Sequence, residues 1–436
     1  MLRHKIGLVC KRDHREVFAM SLASRMFIVC VVALTVLFDS AHAAAGDWPQ
    51  FLGPSRNGSY QGEIAASFPQ LGPKVLWKRK VGEGYGGPVV SGEMVVLFHR
   101  VGKEDVVECM KSSDGSSVWK LGYATRYFDP LGKGNGPRST PAIADGYVVT
   151  FGAQGLLQCV DLKSGKLHWR VDTAKDFGSD KGFFGRACSP LISKGKVLLN
   201  IGGTKSAAGV GAFDLKKGKL LWKATSDEAG YSSPTVATIG QQDYAFFYTR
   251  TGLVAVDPAD GKVLFTHRWR SEQHASVNAA TPIVIGNRIA LTSSYQTGGT
   301  VLAVSGKQFE TLWSGDALSS QYVTPVYRGS GTGGQLFGFT GRHDFDDTKL
   351  TCVNFKTGKA RWSKKMSGGP VVLAKDKLVV VTGDGELVIA KADADAYHEL
   401  ARARVLNGSV RAHPALVDGK LLARDGSQLI CVDLSK

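Results

Sequence analysis

At 436 residues with 43% hydrophobic side chains, the chain has ample apolar surface for a large core, which excludes a disordered polymer. Its 54 Lys and Arg against 38 Asp and Glu leave a net charge of +16. That balance favours acidic surfaces such as anionic lipid, polysaccharide or nucleic acid, although scattered solubilising lysines explain the same figure.

The first 45 residues read as a secretory signal. Met26 to Phe38 is a 13-residue apolar run preceded by Arg25 and followed by small residues, with cleavage expected after Ala43 or Ala45. The run is short for a membrane span, and an uncleaved anchor is the alternative. The basic stretch before Met20 is long, so the start is equally readable at Met20 or Met26. No cysteine follows the cleavage region, so no lipoprotein anchor is expected. Export makes nucleic acid the least favoured of the acidic partners, and a periplasmic or secreted monomer is the expectation.

Residues 46–73 form a lead segment, and residues 74–436 carry repeats. Lys74-Val75-Leu76-Trp77-Lys78-Arg79 is a tryptophan strand with no repeat before it. After it, a proline opens a short apolar run eight times, at Pro88, Pro141, Pro190, Pro234, Pro282, Pro325, Pro370 and Pro414. A proline at the first residue of a strand removes no ladder hydrogen bond. The runs that follow Pro141, Pro370 and Pro414 read as strand, polar turn, strand, with Asp145-Gly146 and Asp418-Gly419 as hairpin turns.

Each repeat then reaches a second hairpin. Asp161, Gly165 and Trp169 stand four residues apart; Asp214, Gly218 and Trp222 repeat the spacing, as do Asn354, Gly358 and Trp362. The acid or amide bonds to the turn backbone, glycine supplies positive φ, and the large aromatic fills the wedge between neighbouring sheets. Asp257 and Gly261 carry Phe265 in the tryptophan slot, and Gly115 with Trp119 lacks the acid. Ser305 to Trp313 lacks the glycine, and Lys391 to Glu399 lacks all three signals.

Self-similarity at this period predicts an all-β fold, a β-propeller of four-stranded antiparallel blades. The last repeat stops at Cys431-Val432-Asp433-Leu434, short of its tryptophan strand, so the Trp77 strand completes it and leaves no exposed edge. Seven full copies and two complementary halves make eight blades. Cys109, Cys159, Cys352 and Cys431 recur at one repeat position in different blades, too far apart to bridge, and Cys188 is expected to be free.

These repeats resemble the tryptophan-docking repeats of the pyrroloquinoline quinone (PQQ) propeller superfamily. The likeness rests on the Asp…Gly…Trp hairpins and on strand openings such as Ser139-Thr140-Pro141 and Ser232-Ser233-Pro234. The stretch from Asp47 to Gly58 looks like the mature start of secreted bacterial PQQ-like repeat proteins, and Gly136-Pro137-Arg138-Ser139-Thr140-Pro141 is similar to the same group. Two classes are implied. Quinoprotein alcohol dehydrogenases imply PQQ in the channel, an adjacent disulfide-bonded cysteine pair, calcium held by Glu, Asn and Asp, and a catalytic aspartate. BamB-type propellers imply a non-catalytic scaffold. This chain has no adjacent Cys-Cys pair, and no dehydrogenase catalytic residue can be carried onto it.

The register also proposes a channel mouth. Residues three before each strand-opening proline are Tyr85, Arg138, Ala187, Tyr231, Ala279, Tyr322, Ser367 and Arg411, with Arg186 and Asn278 one residue away. Three tyrosines and two arginines in one ring suit a planar or anionic ligand, or a peptide carrying carboxylates; the plainer account is that they cap loops and fill the funnel. Two insertions, Tyr123 to Pro137 with Phe128 and Asp172 to Ala187 with Phe183-Phe184, either recognise a partner or tuck onto the ring. Arg342 to Asp347 offers oxygen ligands for calcium but lacks the EF-hand glycine and distal glutamate, and reads as an exposed hairpin tip.

The expectation is an exported, non-catalytic propeller acting as a protein- or ligand-binding scaffold in the cell envelope, with no cofactor. The alternative is a PQQ-dependent alcohol or sugar oxidoreductase with PQQ and calcium. A carbohydrate-binding or carbohydrate-cleaving propeller is the third reading, and it needs paired channel carboxylates.

Overall fold

A computed structural model describes residues 47–132 and 134–436, so the expected signal falls outside the described residues. Eight antiparallel sheets stand in a ring. Blades one to seven span residues 89–124, 142–172, 191–224, 235–268, 283–315, 326–365 and 371–404. The eighth holds Ala415–Val417, Lys420–Arg424 and Gln428–Asp433, and its outer strand is Val75–Lys80, with Trp77 opposite Cys431. The ring therefore closes as the sequence predicts.

The core is a series of interfaces between blades. Val96, Phe98 and Val107 of blade one pack with Ile143, Val148 and Val160 of blade two, all buried. Alternating residues of a strand face opposite sides, so each sheet buries both faces against its neighbours. The cysteines at the shared repeat position lie opposite the tryptophan slot, as Cys159 does opposite Trp169. All five described cysteines are buried and unpaired. They act as small core residues, and burial pushes the Cys188 thiol up to about 11.

Each tryptophan of the repeat slot docks on the turn of the next blade. Trp169 donates its indole N–H to Leu215 O at 2.8 Å, Trp119 to Leu162 O at 2.9 Å and Trp313 to Phe355 O at 2.8 Å. The ring lies flat over the turn glycine: a Cβ added at Gly218 would stand 2.5 Å from the Trp169 ring. Gly218 also has φ +67°, so two constraints converge on one residue. This explains the degraded repeats. Blade four carries Phe265 in place of tryptophan, and the hairpin ahead of it keeps Gly306 in open space but has Phe309 where the docking glycine would stand, 4.6 Å away edge to face. The tryptophan-less outer strand of blade seven is flanked by lead-segment residues 67–72, with Gly72 against Ala403.

A second set of links runs round the inner rim. At four of the strand-opening prolines the preceding hydroxyl, of Thr140, Ser189, Ser233 or Thr324, accepts from a backbone N–H at the entry of the blade before it. Gly87 N–H reaches Thr140 Oγ1 at 3.0 Å, Thr140 N–H reaches Ser189 Oγ at 2.9 Å, and Ser189 N–H reaches Ser233 Oγ at 2.9 Å. The Ser/Thr-Pro pair thus joins sheets that share no ladder.

The lead segment is more than a leader. Trp48 bridges antiparallel to Val90 on the innermost strand of blade one, and Ile143 N–H of blade two donates to Pro49 O. Ser59–Tyr60 then pairs parallel with the innermost strand of blade seven and makes that sheet five-stranded. Between these arms Arg56, 5% exposed, donates to Ser189 O at 2.8 Å and Pro234 O at 2.6 Å. The segment occupies the channel.

Candidate functional site

The register places Tyr85, Arg138, Ala187, Tyr231, Ala279, Tyr322 and Arg411 around one cavity of about 460 Å³ at the end of the ring where the innermost strands begin. Ser367 does not line it. Phe51 from the channel-filling segment forms part of its floor and meets His413 edge to face at 5.6 Å.

Arginines and tyrosines alternate across the mouth. The Arg138 and Arg411 guanidinium carbons each lie 5.4 Å from the Tyr85 ring centre, and Arg411 lies 5.7 Å from that of Tyr322. Arg138 is held by its own loop, donating to Asp129 Oδ2 at 2.9 Å, Gly134 O at 2.8 Å and Gly136 O at 2.6 Å. The first insertion thus folds round Arg138 and buries Asp129, while leaving Phe128 exposed. Arg411 makes no ion pair or hydrogen bond among the described residues, and its contacts are the two tyrosine faces.

Tyr231 is a post for the second insertion. Its hydroxyl accepts from Phe183 N–H at 2.7 Å and Phe184 N–H at 3.2 Å, so those aromatics fold onto the ring, half-buried. Tyr322 bonds His343 Nδ1 at 2.9 Å. Desolvation, and then the Arg411 charge, draw the His343 imidazole down to about 4. Burial likewise draws His413 down to about 4, so both rings are neutral at pH 7.

Arg186 and Asn278 are not among the lining residues. Arg186 donates to Gln154 O at 2.7 Å and Ser179 Oγ at 3.0 Å, while Asn278 donates to Thr249 O and Trp269 O, both at 3.0 Å. Each is buried and ties loops together.

The segment expected as an exposed hairpin tip belongs to the mouth. His343–Phe345 is one 3-10 turn, and both Arg342 and Asp344 line the cavity. Arg342 stacks on Tyr295 at 4.8 Å and on Phe345 at 4.5 Å, and donates to Asp344 Oδ2 at 3.1 Å. Gln321 donates to the same oxygen at 2.7 Å. Sequence reasoning passed over Phe51, Tyr295, Arg342 and His413 as mouth residues. The only available signal was the aromatic and charged content of segments outside the repeat.

Calcium takes six to eight oxygen ligands. Among the described residues no three His, Cys, Asp or Glu side chains converge as a metal site. Asp344 is the carboxylate in the described lining, and Arg342 and Gln321 already bond to it. The donor set does not suit a calcium-bound quinone. What the mouth offers is flat aromatic surface and guanidinium charge.

Known proteins share this architecture. Outer membrane protein assembly factor BamB of Burkholderia pseudomallei is 26% identical over 273 residues, covering 60% of this chain and 64% of that protein. Among solved structures, BamB from Moraxella catarrhalis superposes with TM-score 0.59 at 17% identity, covering 82% of this chain and 97% of that one. Quinohemoprotein alcohol dehydrogenase from Comamonas testosteroni gives TM-score 0.62 at 15% identity, covering 94% and 84%. At such identities the structural likenesses speak for the fold alone. A family model described as outer membrane protein assembly factor BamB matches residues 103–338 and 329–436, taking in most of the blades, and the chain belongs to that family.

Proposed function

We propose that this protein is a non-catalytic scaffold of the bacterial cell envelope, exported and monomeric, which holds a protein partner at the mouth of the ring. The observation that carries the reading is the composition of that mouth. Tyr85, Tyr295, Tyr322, Arg138, Arg342 and Arg411 line it, and Leu131 and Phe345 stand exposed beside it. Aromatics and arginines dominate the energetic centres of protein interfaces. Membership of the BamB family supports an envelope role of this kind.

The oxidoreductase reading draws on structural neighbours that share the fold, and among the described residues no cluster of side chains suits calcium. The carbohydrate-cleaving reading needs two facing carboxylates, whereas the described lining supplies Asp344. One pair of experiments tests the scaffold. A photo-cross-linking residue at Phe345 should capture an envelope polypeptide in cells, and the same residue at Lys375, at the opposite end of the innermost strands, should not. Purified protein given PQQ and calcium should show neither a thermal shift nor dye reduction. Turnover with PQQ, or equal cross-linking from both ends, refutes the proposal.

A further inference from the structure

We propose that Arg411 is the seat for a carboxylate on the partner, and that the partner enters as an extended acidic segment with an apolar residue beside the acid. This inference rests on the scaffold reading and gives its site a chemistry.

Among the described residues the arginines of the mouth pair off, with one left over. Arg138 is matched by Asp129 at 2.9 Å and Arg342 by Asp344 at 3.1 Å. Arg411 has no carboxylate or carbonyl partner among the described residues, and it is half-buried between Tyr85 and Tyr322. Removing a guanidinium from water without an acceptor is unfavourable, and the tyrosine faces compensate only in part. Its planar fork matches a carboxylate, which needs one such group. Phosphate sites and anionic membrane surfaces call on clusters of cations instead. The neutral His343 and His413 rings add no positive charge to broaden the field.

The apolar half of the ligand follows from the rim. Leu131 is 52% exposed and lines the cavity, Phe345 is 66% exposed next to Arg342, and Phe51 lies in the floor. A small free acid would leave these surfaces in water. A peptide that places an aromatic or aliphatic side chain next to its acid covers them.

The test uses fluorescence polarisation with two labelled octapeptides, one alternating phenylalanine with glutamate and the other phenylalanine with glutamine. The glutamate peptide should bind at least tenfold more tightly. Arg411→Gln should erase that preference, while Arg411→Lys retains part of it. Arg361→Gln on an exposed outer strand, which removes the same charge, should leave binding unchanged. Equal binding of the two peptides by the unaltered protein overturns the inference, and that comparison needs no variant to fold. So does an Arg411→Gln protein that still prefers glutamate, or inorganic phosphate or phosphatidylglycerol vesicles displacing the peptide with the same Arg411 dependence. Cross-linking from Phe345 that persists in Arg411→Gln, with no peptide preference in the parent, sinks the carboxylate seat and leaves the scaffold standing. Absence of cross-linking in the parent sinks the scaffold itself.

Discussion

Two glycine-to-alanine substitutions separate the backbone cost of a turn from the cost of displacing a docked tryptophan. Gly195 has φ +71° with open space where a Cβ would sit, whereas Gly218 has φ +67° and would direct its Cβ to within 2.5 Å of the Trp169 ring. An L-residue in the left-handed region costs about 1–2 kcal/mol, and both variants bear it. Gly218→Ala must also move an indole that is 9% exposed and bonded to Leu215 O at 2.8 Å. Overpacking adds about 1–3 kcal/mol and the weakened hydrogen bond about 1 kcal/mol. Gly195→Ala should therefore lose about 1–2 kcal/mol and Gly218→Ala about 3–6 kcal/mol. Urea denaturation followed by near-ultraviolet circular dichroism measures both, with the indole signal reporting the movement. Combining Gly218→Ala with Trp169→Leu should recover part of the excess, since the clash disappears with the ring. Equal losses for the two single variants would show that docking contributes nothing beyond backbone geometry.

Arg56→Met should destabilise by about 1 kcal/mol. Two charge-assisted bonds to Ser189 O and Pro234 O are worth about 3–6 kcal/mol. The burial that draws the guanidinium from 12.5 to about 10 gives back about 3 kcal/mol at ~1.4 kcal/mol per tenfold. A variant as stable as the parent in urea would mean that the channel segment holds without it. Acid should weaken the fold before its carboxylates titrate. His343 and His413 are held near about 4, below their unfolded value of 6.5, so the unfolded chain binds more protons between those limits. Their contribution is complete above about pH 6.5 and is lost as pH falls toward 4. Urea midpoints at pH 7, 5.5 and 4.5 should fall steadily, and His413→Gln should flatten the slope; a parent midpoint level across this range contradicts the assignment. Deleting Val75–Lys80 bares the Gln428–Asp433 strand as an open edge. Size-exclusion chromatography should then show association or loss of the folded species, and an intact monomer would refute the closure.

The repeat was legible because each of its signals answers a physical demand that local sequence displays. Glycine and tryptophan recur together since one must lie on the other, and a proline marks where each innermost strand begins. That proline fixes the register, which is why counting back three residues brought Tyr85, Tyr322 and Arg411 to a common cavity. Moving one residue along an extended entry turns the side chain to the other side. Arg186 and Asn278 accordingly bond to loop carbonyls and contribute nothing to the lining. Phe51 was invisible because the segment before the first blade carries no repeat, and its path up the channel depends on partners hundreds of residues away. Arg342 and Tyr295 were hidden for a related reason, since they sit on loops whose length and path differ from blade to blade.

The indole links all point the same way round the ring, from one blade to the turn of its successor, and Trp77 donates to Ser112 O of blade one at 2.9 Å. The strand that bears Trp77 cannot find its own sheet until Gln428–Asp433 has been made. A chain emerging amino end first must keep that ribbon waiting through nearly the whole of synthesis. The final stitch of the circle is thus also its completeness check: a polypeptide that stops short of Gln428–Asp433 has nowhere to lay the Trp77 strand.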